Sequence, residues 1–222
     1  MSGSIQLHLR DVVILNSLVV ALVLLALAKI ATLRPLKELP DGVQNAAELV
    51  LDWFVQQARR IHPRGVRTIA PFLASLFLVI LLSNLLAFLP FPVLRIPPTA
   101  YYSGPLGLAL VAVLGSLVIS ARLRGIGAGL RHLVWPNPLQ LVSELSHTLS
   151  LSLRLYGNIG GELIVATLVA QVVPYGIPLI VHALGLIPAV VQPVVFTLLT
   201  ANVLATALHG DGEDRRPSER SA

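Results

Sequence analysis

Hydrophobic residues are grouped into long stretches along this chain, and short polar segments separate the stretches. A helix that crosses a bilayer needs roughly 20 apolar residues. Five stretches reach about that length, and they lie near residues 12–33, 69–90, 104–121, 139–173 and 177–208. Because backbone groups in hydrocarbon must be hydrogen bonded within their own segment, each stretch is predicted to be α-helical. The pattern therefore predicts an all-α polytopic membrane protein whose last two helices are long and tilted.

A sixth predicted helix follows the first span and has a different pattern. Apolar residues recur at helical spacing from Val43 to Ile61, at positions 43, 46, 47, 50, 54, 58 and 61. Charged side chains lie mostly on the other faces, and Trp53 suits a headgroup boundary. We predict an amphipathic helix along the membrane surface. A soluble helix docked on another subunit is the alternative.

The two ends of the chain need separate treatment. Val12 to Ala28 is similar to a signal-peptide core, but its basic neighbours Arg34 and Lys37 follow the apolar run, so we expect the span to be retained. No internal repeat is apparent, and residues 1–209 are predicted to form a single membrane domain. Residues 210–222 are polar and rich in charge, so we expect a disordered cytoplasmic tail.

Composition supports lipid as the solvent and excludes several functions. Of the 222 residues, 55% are hydrophobic and 12% are charged, whereas a soluble domain carries about 25% charged residues. The chain has no cysteine, which excludes disulfides and thiolate metal sites. No glycine-rich phosphate loop occurs. We expect no cofactor, no nucleic-acid binding and no catalysis by this chain.

Basic residues mark the two sides of the membrane. Alternate loops hold two Lys and Arg residues on one side and twelve on the other, and only Lys29 and Arg154 lie within spans. Since cytoplasmic loops carry the excess of positive charge, the N-terminus is predicted outside and the C-terminus in the cytoplasm. An odd number of spans satisfies both ends.

Candidate chemistry is concentrated in the fourth span, which contains Glu144, His147, Arg154, Asn158 and Glu162. An ionisable group at the centre of a span costs about 2.5–3.5 kcal/mol or more, so such groups usually face a cavity or a partner. Arginine stays charged at any ordinary pH. Arg154, Asn158 and Glu162 step by four residues and share one helix face. No other span contains an acid, so the counter-charge of Arg154 is predicted to come from another subunit.

The last span adds His182 and Gln192. If it runs antiparallel to the fourth span, Gln192 comes near the depth of Arg154, and His182 lies towards the outside with Glu162. Histidine changes its charge near neutral pH, which suits an ion path. A hydrogen-bonded histidine at a helix end and a helix-packing amide are the alternatives.

Four stretches resemble subunit a of F-type ATP synthases. SLSLRLYGN (Ser150 to Asn158) is similar to its arginine motif, and supporting similarity lies in 39–48, in 81–90 and in the last helix from Gln192. The resemblance covers most of residues 30–208. It implies a stator subunit beside a rotating ring of c subunits, each with a lipid-buried carboxyl, and attachment to the b subunit of a peripheral stalk.

The resemblance also implies roles for particular residues. Arg154 matches the arginine that attracts each passing ring carboxylate, favours its deprotonated form and blocks leakage between two offset half-channels. Asn158, Glu162 and Gln192 match residues that support the outer half-channel and the ring contact. Glu144 matches the acid towards the cytoplasmic exit. The implied location is the cell inner membrane.

Some features depart from the family pattern. Only three residues separate Asn158 from Glu162, whereas four are common, so Glu162 is expected to point in a different direction. His182 is farther from Gln192 than the comparable histidine of other members. Pro193 removes a backbone hydrogen bond and is expected to kink the last helix. These departures indicate a divergent branch, such as the alternative F-type ATPases of some bacteria.

Three alternatives to a proton-conducting subunit remain open from the sequence. The first is a sodium-coupled version of the same subunit. The second is a secondary transporter or permease subunit, a class that commonly has inverted repeats, which this chain lacks. The third is a structural scaffold, which leaves Arg154 and Glu162 without a reason for their positions.

Overall fold

The computed structural model is helical and describes residues 2–33, 42–88, 97–125, 138–172 and 176–209. Its helices are α1 (Ser2–Leu33), α2 (Gly42–Ile61), α3 (Val66–Leu86), α4 (Ser103–Arg124), α5 (Pro138–Val172) and α6 (Ile177–His209). Short 3-10 turns at Pro63–Gly65 and Pro98–Ala100 precede α3 and α4. None of the described residues forms a β-strand. The predicted tail at 210–222 lies outside these ranges.

Helices α1, α3, α4, α5 and α6 are long and apolar enough to cross a membrane, which confirms the predicted polytopic all-α class. Their bounds agree with the sequence pattern to within a few residues, except that α1 begins at Ser2. Helix α5 has 35 residues and α6 has 33. At 1.5 Å per residue both reach about 50 Å, more than the roughly 30 Å of hydrocarbon. Their tilt in a bilayer stays a prediction.

Helix α2 matches the predicted amphipathic segment. Its buried face, which includes Phe54, Ala58 and Ile61, packs against the first turns of α3 and the last turns of α6. Its other face exposes Leu49 and Leu51 beside charged residues. Helix α2 is therefore docked on the bundle of its own chain. Its location at a membrane surface stays a prediction.

The core of the bundle has two layers. One layer joins α2 to the start of α3, the end of α4 and the end of α6, around Ile69, Leu73, Ile119 and Leu204. The second layer lies further along α3 and joins it to α4, α5 and α6. Its fully or almost fully buried members are Leu76, Ile80, Ala109, Ala112, Leu151, Leu155 and Phe196. Leu155 is therefore a core residue immediately beside Arg154.

Contacts between named atoms give the directions of the last helices. Asn158 of α5 bonds Gln192 of α6, while Glu162, one turn later in α5, lies against Gly185, earlier in α6. The contact residues therefore run in opposite orders, so α5 and α6 are antiparallel, which is the arrangement assumed above for the last two spans. Helix α1 packs less closely, contacts α3 and the Pro98–Ala100 turn, and leaves most of its described apolar side chains exposed.

Candidate functional site

The two faces of α5 differ sharply around Arg154. Leu151 and Leu155 are buried in the bundle, whereas Leu153, Arg154 and Gly157 are exposed. This alternation follows from the 3.6-residue period of a helix with one face on a core. The guanidinium therefore lies on the outer surface of α5. Among the residues that the structure describes, no hydrogen bond or ion pair engages it.

Apart from Ser150, which is exposed one turn earlier in α5, the described surface near Arg154 is largely apolar. Exposed hydrophobic side chains follow α5 at helical spacing and continue along α6, at Leu149, Leu153, Ile164, Leu168, Ile180, Leu184, Ile187, Val191 and Leu198. Large exposed apolar surfaces mark membrane or protein-binding regions. A single permanent cation on such a surface requires either water or an anion from outside the chain.

One turn beyond Arg154, an amide pair joins α5 to α6. The Asn158 Nδ2 donates to the Gln192 Oε1 at 2.7 Å. Gln192 is 4% exposed, and its Nε2 has no hydrogen-bond partner within the described part of the chain. The pair fixes Gln192 about one helical turn from Arg154 and leaves one buried donor for a further polar group.

Two turns beyond Arg154, the carboxyl group of Glu162 lies against Gly185 of α6. It occupies the space that a Cβ atom at position 185 would need. Glu162 is half-buried, so its carboxyl group is enclosed between α5 and α6 rather than directed to the outer surface. Because glycine has no side chain, it permits this close approach.

The six predicted site residues are only partly described. Asn158, Glu162 and Gln192 lie along the α5–α6 contact, and Arg154 lies one turn before Asn158 on the exposed surface of α5. Glu144 lies within α5 and His182 within α6, but their side chains fall outside the described residues. Within the described ranges, no group of three His, Asp or Glu side chains is arranged to hold a metal ion.

Sequence reasoning missed several neighbours of the site. Gly185 gave no signal beyond its place in a hydrophobic run. Asn84, which lies within the stretch that resembles the family's second span, donates from its Nδ2 to the Ala189 carbonyl at 3.2 Å. The Tyr102 hydroxyl lies 3.4 Å from the Ser152 hydroxyl. These contacts join distant parts of the chain, so spacing alone does not reveal them.

Comparison with known proteins gives a consistent assignment. The family model described as "ATP synthase A chain" matches residues 14–204. The "ATP synthase subunit a" of Moorella thermoacetica is 33% identical over 201 residues, which cover 89% of this chain and 90% of that protein. The "ATP synthase subunit a 1" of Syntrophotalea carbinolica is 35% identical over 198 residues, with 84% and 82% covered. The chain therefore belongs to the ATP synthase subunit a family and is a membrane-embedded subunit with an ion-translocating stator role.

Proposed function

We propose that this chain conducts protons past a ring of c subunits and that Arg154 is the charge that each ring carboxylate meets. The guanidinium stabilises the deprotonated carboxylate as it leaves the lipid. It also repels cations that would pass directly between the two half-channels. The chain catalyses no reaction and binds no cofactor in this role. Ion flow drives rotation, or ATP hydrolysis drives the reverse.

The observation that carries this proposal is the exposed guanidinium on an apolar face. A cation paired within its own chain would serve as a staple between helices. Arg154 instead lies where a neighbouring carboxylate can reach it, and no partner engages it within the described residues. The family match favours the rotary interpretation over the permease and scaffold alternatives.

The other predicted residues extend the path on either side of Arg154. Asn158, Gln192 and the enclosed Glu162 carboxyl supply polar groups towards the outside, and His182 is assigned to the same side. Glu144 is assigned to the cytoplasmic exit. The proposed neighbours are the c-ring, the b subunit of the peripheral stalk and the lipid of the cell inner membrane, with the N-terminus outside.

Replacement of Arg154 tests the proposal. In inverted membrane vesicles, Arg154→Ala is expected to abolish ATP-driven ion pumping while the subunit stays assembled. Arg154→Lys keeps the charge but lacks the planar fork of donors, so partial activity is expected. Arg122→Ala removes another exposed arginine, at the end of α4, and is expected to pump normally. Pumping by Arg154→Ala at the wild-type rate would refute the assigned role.

The identity of the ion is tested separately. Sodium coupling is the alternative because the sequence departs from the common pattern at Glu162 and Pro193. Pumping measured at fixed pH with Na⁺ varied distinguishes the two. A proton-coupled subunit shows no dependence on Na⁺, whereas a sodium-coupled complex stops when Na⁺ is removed.

A further inference from the structure

Pro193 leaves one carbonyl of α6 without its usual donor. In an α-helix, each backbone N–H donates to the carbonyl four residues earlier. Proline has no N–H, and its ring pushes against that same carbonyl. In α6 the affected carbonyl belongs to Ala189, which is fully buried. A buried carbonyl without a donor is costly, so another group must satisfy it.

Asn84 of α3 supplies the missing donor. Its Nδ2 donates to the Ala189 carbonyl at 3.2 Å. Its Oδ1 accepts a hydrogen bond from the Thr99 hydroxyl at 3.1 Å. Asn84 and Thr99 are both 0% exposed, so water does not replace either bond. The amide is held at both ends, and it ties the proline turn of α6 to α3 and to the turn before α4.

The tied carbonyl lies next to the ion-path residues. Ala189 and Pro193 bracket the helical turn that contains Gln192, whose Oε1 receives the bond from Asn158. A proline turn lacks the regular bond that fixes the backbone direction in an ordinary helix. The bond from Asn84 therefore replaces the missing backbone bond in the helical turn that determines where the Gln192 side chain points.

We infer that Asn84 is a positioning residue for ion translocation, which acts by capping the Ala189 carbonyl that Pro193 leaves free. It does not touch the ion. It holds the backbone of α6 so that Gln192 meets Asn158, one turn from Arg154. This inference rests on the proposed function, and it assigns α3 a part in the path.

A double-mutant cycle tests the cap directly. Asn84→Leu keeps the approximate size of the side chain but removes the donor. With Pro193 present, it is expected to lower the pumping rate per assembled complex about tenfold. This is the effect expected when a buried carbonyl loses its hydrogen-bond donor. Pro193→Ala restores the backbone donor and is expected to retain pumping. In the Pro193→Ala background, Asn84→Leu is expected to lower the pumping rate no more than about twofold, since the backbone N–H already satisfies the carbonyl.

Two further variants separate the cap from general packing. Thr200→Val removes a hydroxyl that donates to the Phe196 carbonyl at 3.0 Å, a carbonyl that keeps its helical donor, and Pro193→Ala is expected not to alter its effect. Thr99→Val removes the bond to Asn84 Oδ1 but leaves the cap. Because that bond holds the Asn84 amide in place, a smaller loss than in Asn84→Leu is expected, with the same dependence on Pro193.

A second measurement keeps the test independent of transport. The temperature at which this subunit aggregates in the purified complex is recorded for the wild type, Asn84→Leu, Pro193→Ala and the double variant, and it is expected to show the same coupling. Coupling in both measurements supports the inference. Additive effects in both measurements would overturn the inference, and so would coupling in the aggregation temperature alone. Loss of pumping in the single variant Pro193→Ala would overturn it as well. Arg154→Ala is measured alongside, so a failure of the proposed function is seen separately.

Discussion

Arg154 and Glu162 lie two turns apart on α5 and have different surroundings. Arg154 is exposed on an apolar surface, and Glu162 is half-buried against Gly185. Because the other spans contain no acidic residue, the sequence predicted that the counter-charge of Arg154 comes from outside the chain. The position of Glu162 depends on which residue of α6 lies opposite. Helical spacing within α5 carries no information on that register.

Gly185→Ala tests whether the enclosed Glu162 carboxyl contributes to transport. The added methyl group occupies the space that the carboxyl now fills, so the carboxyl must move. The pumping rate is expected to fall about tenfold, which corresponds to about 1.4 kcal/mol of barrier, and less than in Arg154→Ala. Glu162→Gln is expected to give a similar decrease.

The control for this substitution is Gly107→Ala in α4, where nothing lies within 4 Å of an added Cβ. That variant is expected to pump normally. If Gly185→Ala acts through the carboxyl, it adds little to Glu162→Gln, because the two share one interaction. An undiminished decrease in the Glu162→Gln background would assign the effect to helix packing instead.

The helices show which features of an element follow from its sequence. The six segments, their approximate bounds and the amphipathic face of α2 were predictable, because hydrophobic periodicity depends on local sequence. The lost hydrogen bond at Pro193 was predictable for the same reason. Its replacement by Asn84 was not, since the two partners are 105 residues apart. A hydrogen bond from a side chain of one helix to a free carbonyl of another becomes visible only once the helices are packed together.

The last turn of α6 offers a test of such a contact. The carbonyl of Ala207, like that of Ala189, lacks its usual helical donor. Here the reason is that the donor would belong to residue 211, beyond the helix end at His209. The Ser120 hydroxyl donates to the Ala207 carbonyl at 3.0 Å. The Arg124 Nη1 donates to it at 2.8 Å, and its positive charge suits a helix C-terminus.

Ser120→Ala is expected to destabilise the subunit by about 1 kcal/mol, the net contribution of one such hydrogen bond. Arg124→Ala is expected to cost at least as much. The double variant is expected to cost more than the sum, since each single variant leaves the carbonyl one donor and only the double variant removes both. Thermal aggregation of the purified complex measures the effect. Ser75→Ala, which removes an exposed bond to the Phe72 carbonyl, is the control with little expected change. Strictly additive losses would contradict a shared cap.

The whole molecule combines a well-packed interior with an apolar exterior. Core layers join α2, α3, α4 and α6, and α5 adds its Leu151 and Leu155 face. Large hydrophobic side chains remain exposed on α1, α5 and α6, which suits a subunit that meets lipid on one side and a partner on another. The sequence predicted a polytopic membrane protein from the length of its apolar stretches, and its low content of charged residues supported that prediction. It did not predict which helices pack closely and which remain peripheral.

Orientation across the membrane is the property of the whole chain that charge counting predicts. Because the chain contains no cysteine, a single introduced cysteine is a unique label. With a membrane-impermeant maleimide, Ser4→Cys is expected to react in right-side-out vesicles and Ser221→Cys in inverted vesicles. Both react after detergent treatment, which controls for access. Reaction of the two positions from the same side would mean an even number of crossings. One of the five apolar helices would then lie outside the bilayer, and α1, with the fewest buried residues among them, is the first to be reassigned.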